Sequence, residues 1–174
     1  MSSIRKKVVI LFPGGRGTEI PLLYFGAKYY EDQGYEKLFI SHPISGDKNF
    51  ESVYINATRV IGSIDFSEYE DIVFIAKSMG TVVACKLKEE FKITASLILY
   101  TPVIETLPYI RNNNQIILVA AGDKDRLLDS KILKDRCIKE SVPYYIEPNV
   151  GHRMEVMNDL HRNLKVIANV ISRL

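Results

Sequence analysis

Four absences bound what this chain can be. Cysteine is scarce, with only Cys85 and Cys137. Both lie in stretches with helical patterning, without CxxC spacing or histidine neighbours, which argues against a zinc site or a redox motif; they are expected to be reduced core residues. Charge of one sign is missing too. The 23 Lys and Arg stand against 21 Asp and Glu, a net charge of +2, too slight and too scattered to attract nucleic acid. No run approaches the roughly 18 apolar residues of a membrane span, and the apolar stretch at 8–12 behind the basic start is too short for a secretory leader. The expectation is a soluble cytoplasmic protein with neither nucleic acid nor membrane as partner. Repeats, low-complexity tracts and linkers are also lacking, so 174 residues read as one domain, large enough to bury roughly 70% of its unfolded surface without disulfides or metals.

What is present is a globular balance, 47% hydrophobic and 25% charged. Short runs rich in β-branched and aromatic residues recur at 8–12, 37–41, 71–76, 95–100, 115–120 and 143–147. Several are apolar throughout, as strands covered on both faces must be, and this predicts a parallel sheet. Between them, apolar residues recur at helical spacing: Leu22, Gly26 and Tyr29; Phe50, Val53, Ala57, Val60 and Ile64; Val83, Leu87 and Phe91; Met157, Leu160, Leu164, Ala168 and Ile171. Alternating strands and helices predict a three-layer, doubly wound α/β fold. In such a sheet ligands bind beyond the carboxyl ends of the strands, so the residues just after each strand are where chemistry is to be sought.

Four of those positions carry suggestive residues. After the third run comes Ala76-Lys77-Ser78-Met79-Gly80, a strand, a tight turn bearing serine, and a helix. A nucleophile elbow needs small residues two positions either side of the serine, because strand and helix approach closely there, and Ala76 and Gly80 satisfy that need. Alanine at the first position departs from the G-x-S-x-G pattern, and a serine capping the helix is the competing explanation. After the first run, Pro13-Gly14-Gly15-Arg16-Gly17 can turn backbone N–H groups inward as an oxyanion hole requires. A phosphate cradle would look similar, but neither GxxxxGK[ST] nor GxGxxG is present. After the fifth and sixth runs come Gly122-Asp123-Lys124-Asp125 and Gly151-His152, which place a carboxylate and an imidazole side by side at one edge of the sheet. An activated serine needs that pairing. Each feature alone has a commonplace explanation; all of them together, in the order Ser, Asp, His, favour nucleophilic catalysis.

On these motifs the sequence resembles a small α/β-hydrolase, of the dienelactone-hydrolase-like or small serine esterase type without a cap, over nearly its whole length. The resemblance implies Ser78 as nucleophile, His152 as base and Asp125 as its orienting acid. The family's acid usually stands three residues after the glycine, which leaves Asp123 as the substitute. It implies an oxyanion hole from the backbone N–H groups of Met79 and Gly15, no metal, no cofactor, a six-stranded, mainly parallel sheet of order 2-1-3-4-5-6, and hydrolysis of a small carboxylic ester or thioester. Two other readings compete: a catalytically silent hydrolase scaffold serving as a binding module, and a flavodoxin-like or Rossmann-like domain holding phosphate at the glycine loop. His42, His161, Lys77 and Arg153 are expected to be solvated, and Tyr29, Tyr30, Tyr144 and Tyr145 to be packing residues. Only residues 101–114 are available where larger relatives carry a cap. A short helix or loop is therefore expected there, over a shallow cleft suited to short acyl groups.

Overall fold

The computed structural model describes residues 6–15, 20–41 and 49–174; Arg16, Gly17 and His42 lie outside the described residues. Six strands, β1 (Lys6–Phe12), β2 (Glu36–Phe39), β3 (Tyr69–Lys77), β4 (Ser96–Tyr100), β5 (Ile116–Gly122) and β6 (Tyr144–Glu147), alternate with helices α1 (Pro21–Glu31), α2 (Phe50–Gly62), α3 (Met79–Glu90), α4 (Ser130–Lys139) and α5 (Leu160–Ile171). The strands form one sheet of order β2-β1-β3-β4-β5-β6 in which every pair is parallel. A parallel neighbour can be reached only by a crossover, so the helices are obliged to cover the faces.

Alternation along the central strands builds two cores. Val8, Ile10 and Phe12 of β1 face one way, with Ile72, Phe74 and Ala76 of β3, against Val53, Ala57 and Ile61 of α2, Val83, Ala84 and Leu87 of α3, and Leu133 and Cys137 of α4. Val9 and Leu11 face the other way, with Val73 and Ile75, against Leu22, Leu23, Ala27 and Tyr30 of α1 and Val166 and Val170 of α5. Both cysteines are buried and unbridged, and burial pushes the Cys85 thiol up to about 12 and the Cys137 thiol to about 11.

Local signals explain where the helices start. Pro21 opens α1. The side chains of Asn49, Asp129 and Asp159 accept from backbone N–H groups in the first turns of α2, α4 and α5.

The last helix departs from its predicted face. The capping of Arg162 N–H by Asp159 starts α5 at Leu160, leaving Met157 outside the helix and 88% exposed. Val166 and Val170 turn inward instead, while Leu160 and Leu164 remain exposed. Two apolar stripes share this helix, and periodicity alone does not rank them. In α3, likewise, Val83 and Leu87 are buried but Phe91, at the C-cap, is exposed. Residues 101–114 hold only short 3-10 turns, at Ile104–Tyr109 and Asn112–Asn114. Among the described residues no helix is long and apolar enough to cross a membrane.

At the carboxyl edge the ends of β5 and β6 are laced together. Asp123 N–H donates to Glu147 O at 3.0 Å and Lys124 N–H to Val150 O at 2.9 Å. Gly122 sits so close beneath this crossing that an added Cβ would lie 2.1 Å from Val150 O. Gly122→Ala must therefore push two backbones apart, and a loss of about 1–3 kcal/mol is expected in urea denaturation. Gly15→Ala, where nothing lies within 4 Å of the added carbon, is the control and should stay within about 0.5 kcal/mol of the parent. Equal effects at the two positions would refute the close approach.

Candidate active site

The chain passes from β3 into α3 through Ser78, whose backbone adopts φ 56 and ψ −129, a region that L residues rarely occupy. Several contacts hold it there. Ser78 N–H donates to Tyr100 O at 3.0 Å. Its carbonyl accepts from Thr81 N–H at 2.9 Å and from Thr81 Oγ1 at 2.6 Å. Thr81 spends its one hydroxyl proton on that bond, so Thr106 Oγ1, 2.6 Å away, must donate to Thr81. Gly80 is required by close approach: a Cβ there would meet Phe12 O at 2.3 Å. A Cβ on Gly14 would meet Ser78 Cβ at 2.8 Å, so Gly14 is pressed against the serine. Gly14 rather than Gly15 makes that contact; Gly15 is exposed on the wall of the cleft.

Ser78 occupies the N-cap position of α3 yet makes no side-chain capping bond. Its Oγ lies instead 2.7 Å from His152 Nε2. His152 Nδ1 lies 2.8 Å from Asp125 Oδ2, and Asp125 Oδ1 accepts from Leu127 N–H at 2.9 Å. The Asp125 side chain is 1% exposed and that of His152 23%. Burial pushes the Asp125 carboxyl up, but the hydrogen bond from His152 and the backbone N–H groups of Leu127 and Leu128 outweigh it and hold the group below the ordinary carboxylate value. An ionised carboxylate only accepts, so Nδ1 carries a proton towards Asp125; in the neutral imidazole Nε2 then presents a lone pair to the serine hydroxyl.

The structure thus brings Ser78, His152 and Asp125 into one hydrogen-bonded chain. Asp123 faces elsewhere: its Oδ1 accepts from Asn149 N–H at 2.7 Å, which ties the turn after β5 to the loop after β6. Met79 is the first residue of α3, so its backbone N–H stands outside the intrahelical ladder. His161 is exposed on α5 and Arg153 is exposed beside the cleft, whereas Lys77, expected to be solvated, is buried.

Sequence reasoning missed Glu147. Its side chain is 1% exposed, accepts from Tyr145 Oη at 2.6 Å and Asn169 Nδ2 at 3.2 Å, and pairs with Arg162. Arg162 also donates to Pro148 O, so the carboxylate at the end of β6 anchors α5 and the loop leading to His152. A carboxylate closing an otherwise apolar strand was the available signal. Also unforeseen is the shape of the site. A cleft of about 180 Å³ lined by Gly14, Gly15, Ile20, Lys77, Ser78, His152, Arg153 and Glu155 adjoins an apolar groove of about 310 Å³ between α1 and α5, with Ile20, Arg153 and Glu155 common to both.

The sequence matches no protein-family model and no curated protein shows significant similarity to it. Solved structures do resemble it. An α/β serine hydrolase homologue from Coxiella burnetii shares 15% identity at a TM-score of 0.72, over 98% of this chain and 85% of that one. A lidless α/β serine hydrolase from Xanthomonas campestris shares 12% at 0.68, over 99% and 84%. Est1E from Butyrivibrio proteoclasticus, with ferulic acid bound, shares 13% at 0.69, over 98% and 89%. With its strand order, this likeness shows that the chain has the α/β-hydrolase fold.

The depressed Asp125 carboxyl links stability to pH. Its contribution is complete above the unfolded value of about 3.9 and is lost as pH falls through the lower folded value. Asp125→Asn should therefore be less stable than the parent at neutral pH and lose less stability between about pH 5 and pH 2. Denaturant midpoints across that range check this; parallel curves for the two proteins would show that the carboxylate is not preferentially stabilised in the fold.

Proposed function

We propose that this chain, built on the α/β-hydrolase fold, is a soluble cytoplasmic serine hydrolase of small carboxylic esters or thioesters. One observation carries the reading: the Ser78 hydroxyl, on a strained turn at a helix N-terminus, lies 2.7 Å from His152 Nε2 instead of capping its own helix. Ser78 Oγ attacks the acyl carbon while its proton passes to His152 Nε2. Asp125 holds the Nδ1 tautomer and stabilises the imidazolium that forms. The oxyanion is received by the N–H groups of Met79 and Gly15, assisted by the positive end of the α3 dipole. As the tetrahedral intermediate collapses, His152 returns the proton to the leaving alcohol or thiol. Water, with its proton taken by His152, then attacks the acyl-serine and the cycle closes with a free acid. None of these steps calls for a cofactor.

A fluorophosphonate probe tests the assignment, because it labels only an activated serine. The native protein should be labelled covalently and Ser78→Ala should not be, while retaining its circular dichroism spectrum. Labelling that survives in the variant would remove Ser78 from the role. A native protein that resists the probe would favour the silent scaffold, which the low identities to known hydrolases keep as the second reading.

The open groove sets an expectation for substrate size. A methylene buried on all sides gains about 0.8 kcal/mol, or about fourfold in kcat/KM; one lying in a trough open to solvent gains less. Along p-nitrophenyl esters from acetate to dodecanoate, kcat/KM should therefore change by well under fourfold per carbon. A steep, sustained rise would reveal an enclosed acyl tunnel.

A further inference from the structure

Lys77 ends β3, one residue before Ser78, and is only 4% exposed. Taking an ammonium out of water is costly unless its protons find good acceptors. Two acceptors are in place: Nζ donates to Thr101 Oγ1 at 2.8 Å and to the backbone carbonyl of His152 at 2.9 Å. They come from different parts of the sheet edge. Thr101, itself fully buried and at φ 42, follows β4. His152 lies in the loop between β6 and α5, on neither helix nor strand. A loop residue of that kind has no regular ladder to fix its backbone, yet its ring must stay within hydrogen-bond reach of Ser78 Oγ and Asp125 Oδ2 at once.

We infer that Lys77 is a positioning residue, whose ammonium grips the main-chain carbonyl of His152 and so holds the imidazole between Ser78 and Asp125. The geometry makes this direct. Lys77 is covalently next to Ser78, so the same short strand end that carries the serine reaches 75 residues along the chain to the backbone that carries the imidazole. A shift of either loop is thereby resisted by a charge-assisted hydrogen bond, stronger than a neutral one. An apolar residue would fill the space without supplying that constraint.

The role in turnover rests on the hydrolase reading; the role in holding the ring does not, and the test separates them. Lys77→Met keeps the unbranched stem out to its ε position and removes the donors, whereas Lys77→Gln carries a neutral donor at that same ε position. In protein labelled with ¹⁵N-histidine, where only three histidines contribute, the low-field Nδ1–H proton of His152 reports its bond to Asp125. That resonance should be sharp in the native protein, exchange-broadened or lost in Lys77→Met, and recovered in Lys77→Gln. With p-nitrophenyl acetate, Lys77→Met should lower kcat by about 10- to 100-fold, as misplacement of a catalytic group does, with KM changed by less than about threefold, and Lys77→Gln should restore much of kcat. A Lys77→Met protein that keeps both the resonance and kcat overturns the inference, as does equal impairment of the two variants. Should Lys77→Met fail to fold, Lys77→Gln decides: a native resonance upholds the donor's role and a lost one refutes it. If the resonance responds as expected but no form of the protein turns over ester, the positioning role stands and the hydrolase reading falls.

Discussion

The backbone at Ser78 is held in a region that costs of order 1–3 kcal/mol to occupy, and the organisation of the carboxyl edge follows from how that strain is sustained. β1 and α3 must come close enough that Gly80 lies against the Phe12 carbonyl. Gly14 must lie against the serine itself, and β4 must run alongside so that Tyr100 O can take the Ser78 N–H. Each of these neighbours belongs to a different element, so the turn is sustained only when the sheet is assembled. The return is that the hydroxyl projects from the end of the sheet, clear of the helix it begins, with the N–H groups of the first turn of α3 beside it.

Two buried carboxylates fix the other side of the cleft. Asp125 is held by the Leu127 N–H on one oxygen and by the imidazole on the other. Glu147, at the end of β6, ties Tyr145, Asn169 and Arg162 together. For Glu147 as for Asp125, burial pushes the carboxyl up and the hydrogen bonds more than reverse it, so both are held below their ordinary values. Buried carboxylates satisfied in this way specify geometry rather than merely fill space. They join α5, the turn after β5 and the loop after β6 into one unit carrying His152. Lys77 connects that unit to the strand bearing the serine.

The segment between β4 and β5 is spent on short 3-10 turns and contributes none of the residues that line the cleft. Thr106 in the first of them supports Thr81 and, through it, the Ser78 carbonyl. The stretch that larger hydrolases of this resemblance expand into a cap here buttresses the elbow from behind.

Strand positions, their parallel arrangement and the order of serine, aspartate and histidine were legible in the linear chain, because runs covered on both faces must be apolar throughout and because Ala76 and Gly80 answer a steric need only a few residues wide. Such constraints are local. The choice between Asp125 and Asp123 was legible only through resemblance; the folded chain distinguishes them by which carboxylate meets the imidazole and which meets Asn149 N–H. Periodicity named the wrong stripe of α5, since Leu160 and Leu164 are as apolar as Val166 and Val170 and only the packing against α1 and the sheet selects between them. Lys77 shows the limit most plainly: a lysine beside a turn is ordinarily solvated, and its burial depends on acceptors 24 and 75 residues away. Composition and spacing determine what a segment of chain can form; which polar atoms meet across the sheet is decided when the strands converge, because a hydrogen bond depends on positions in space that no local pattern encodes.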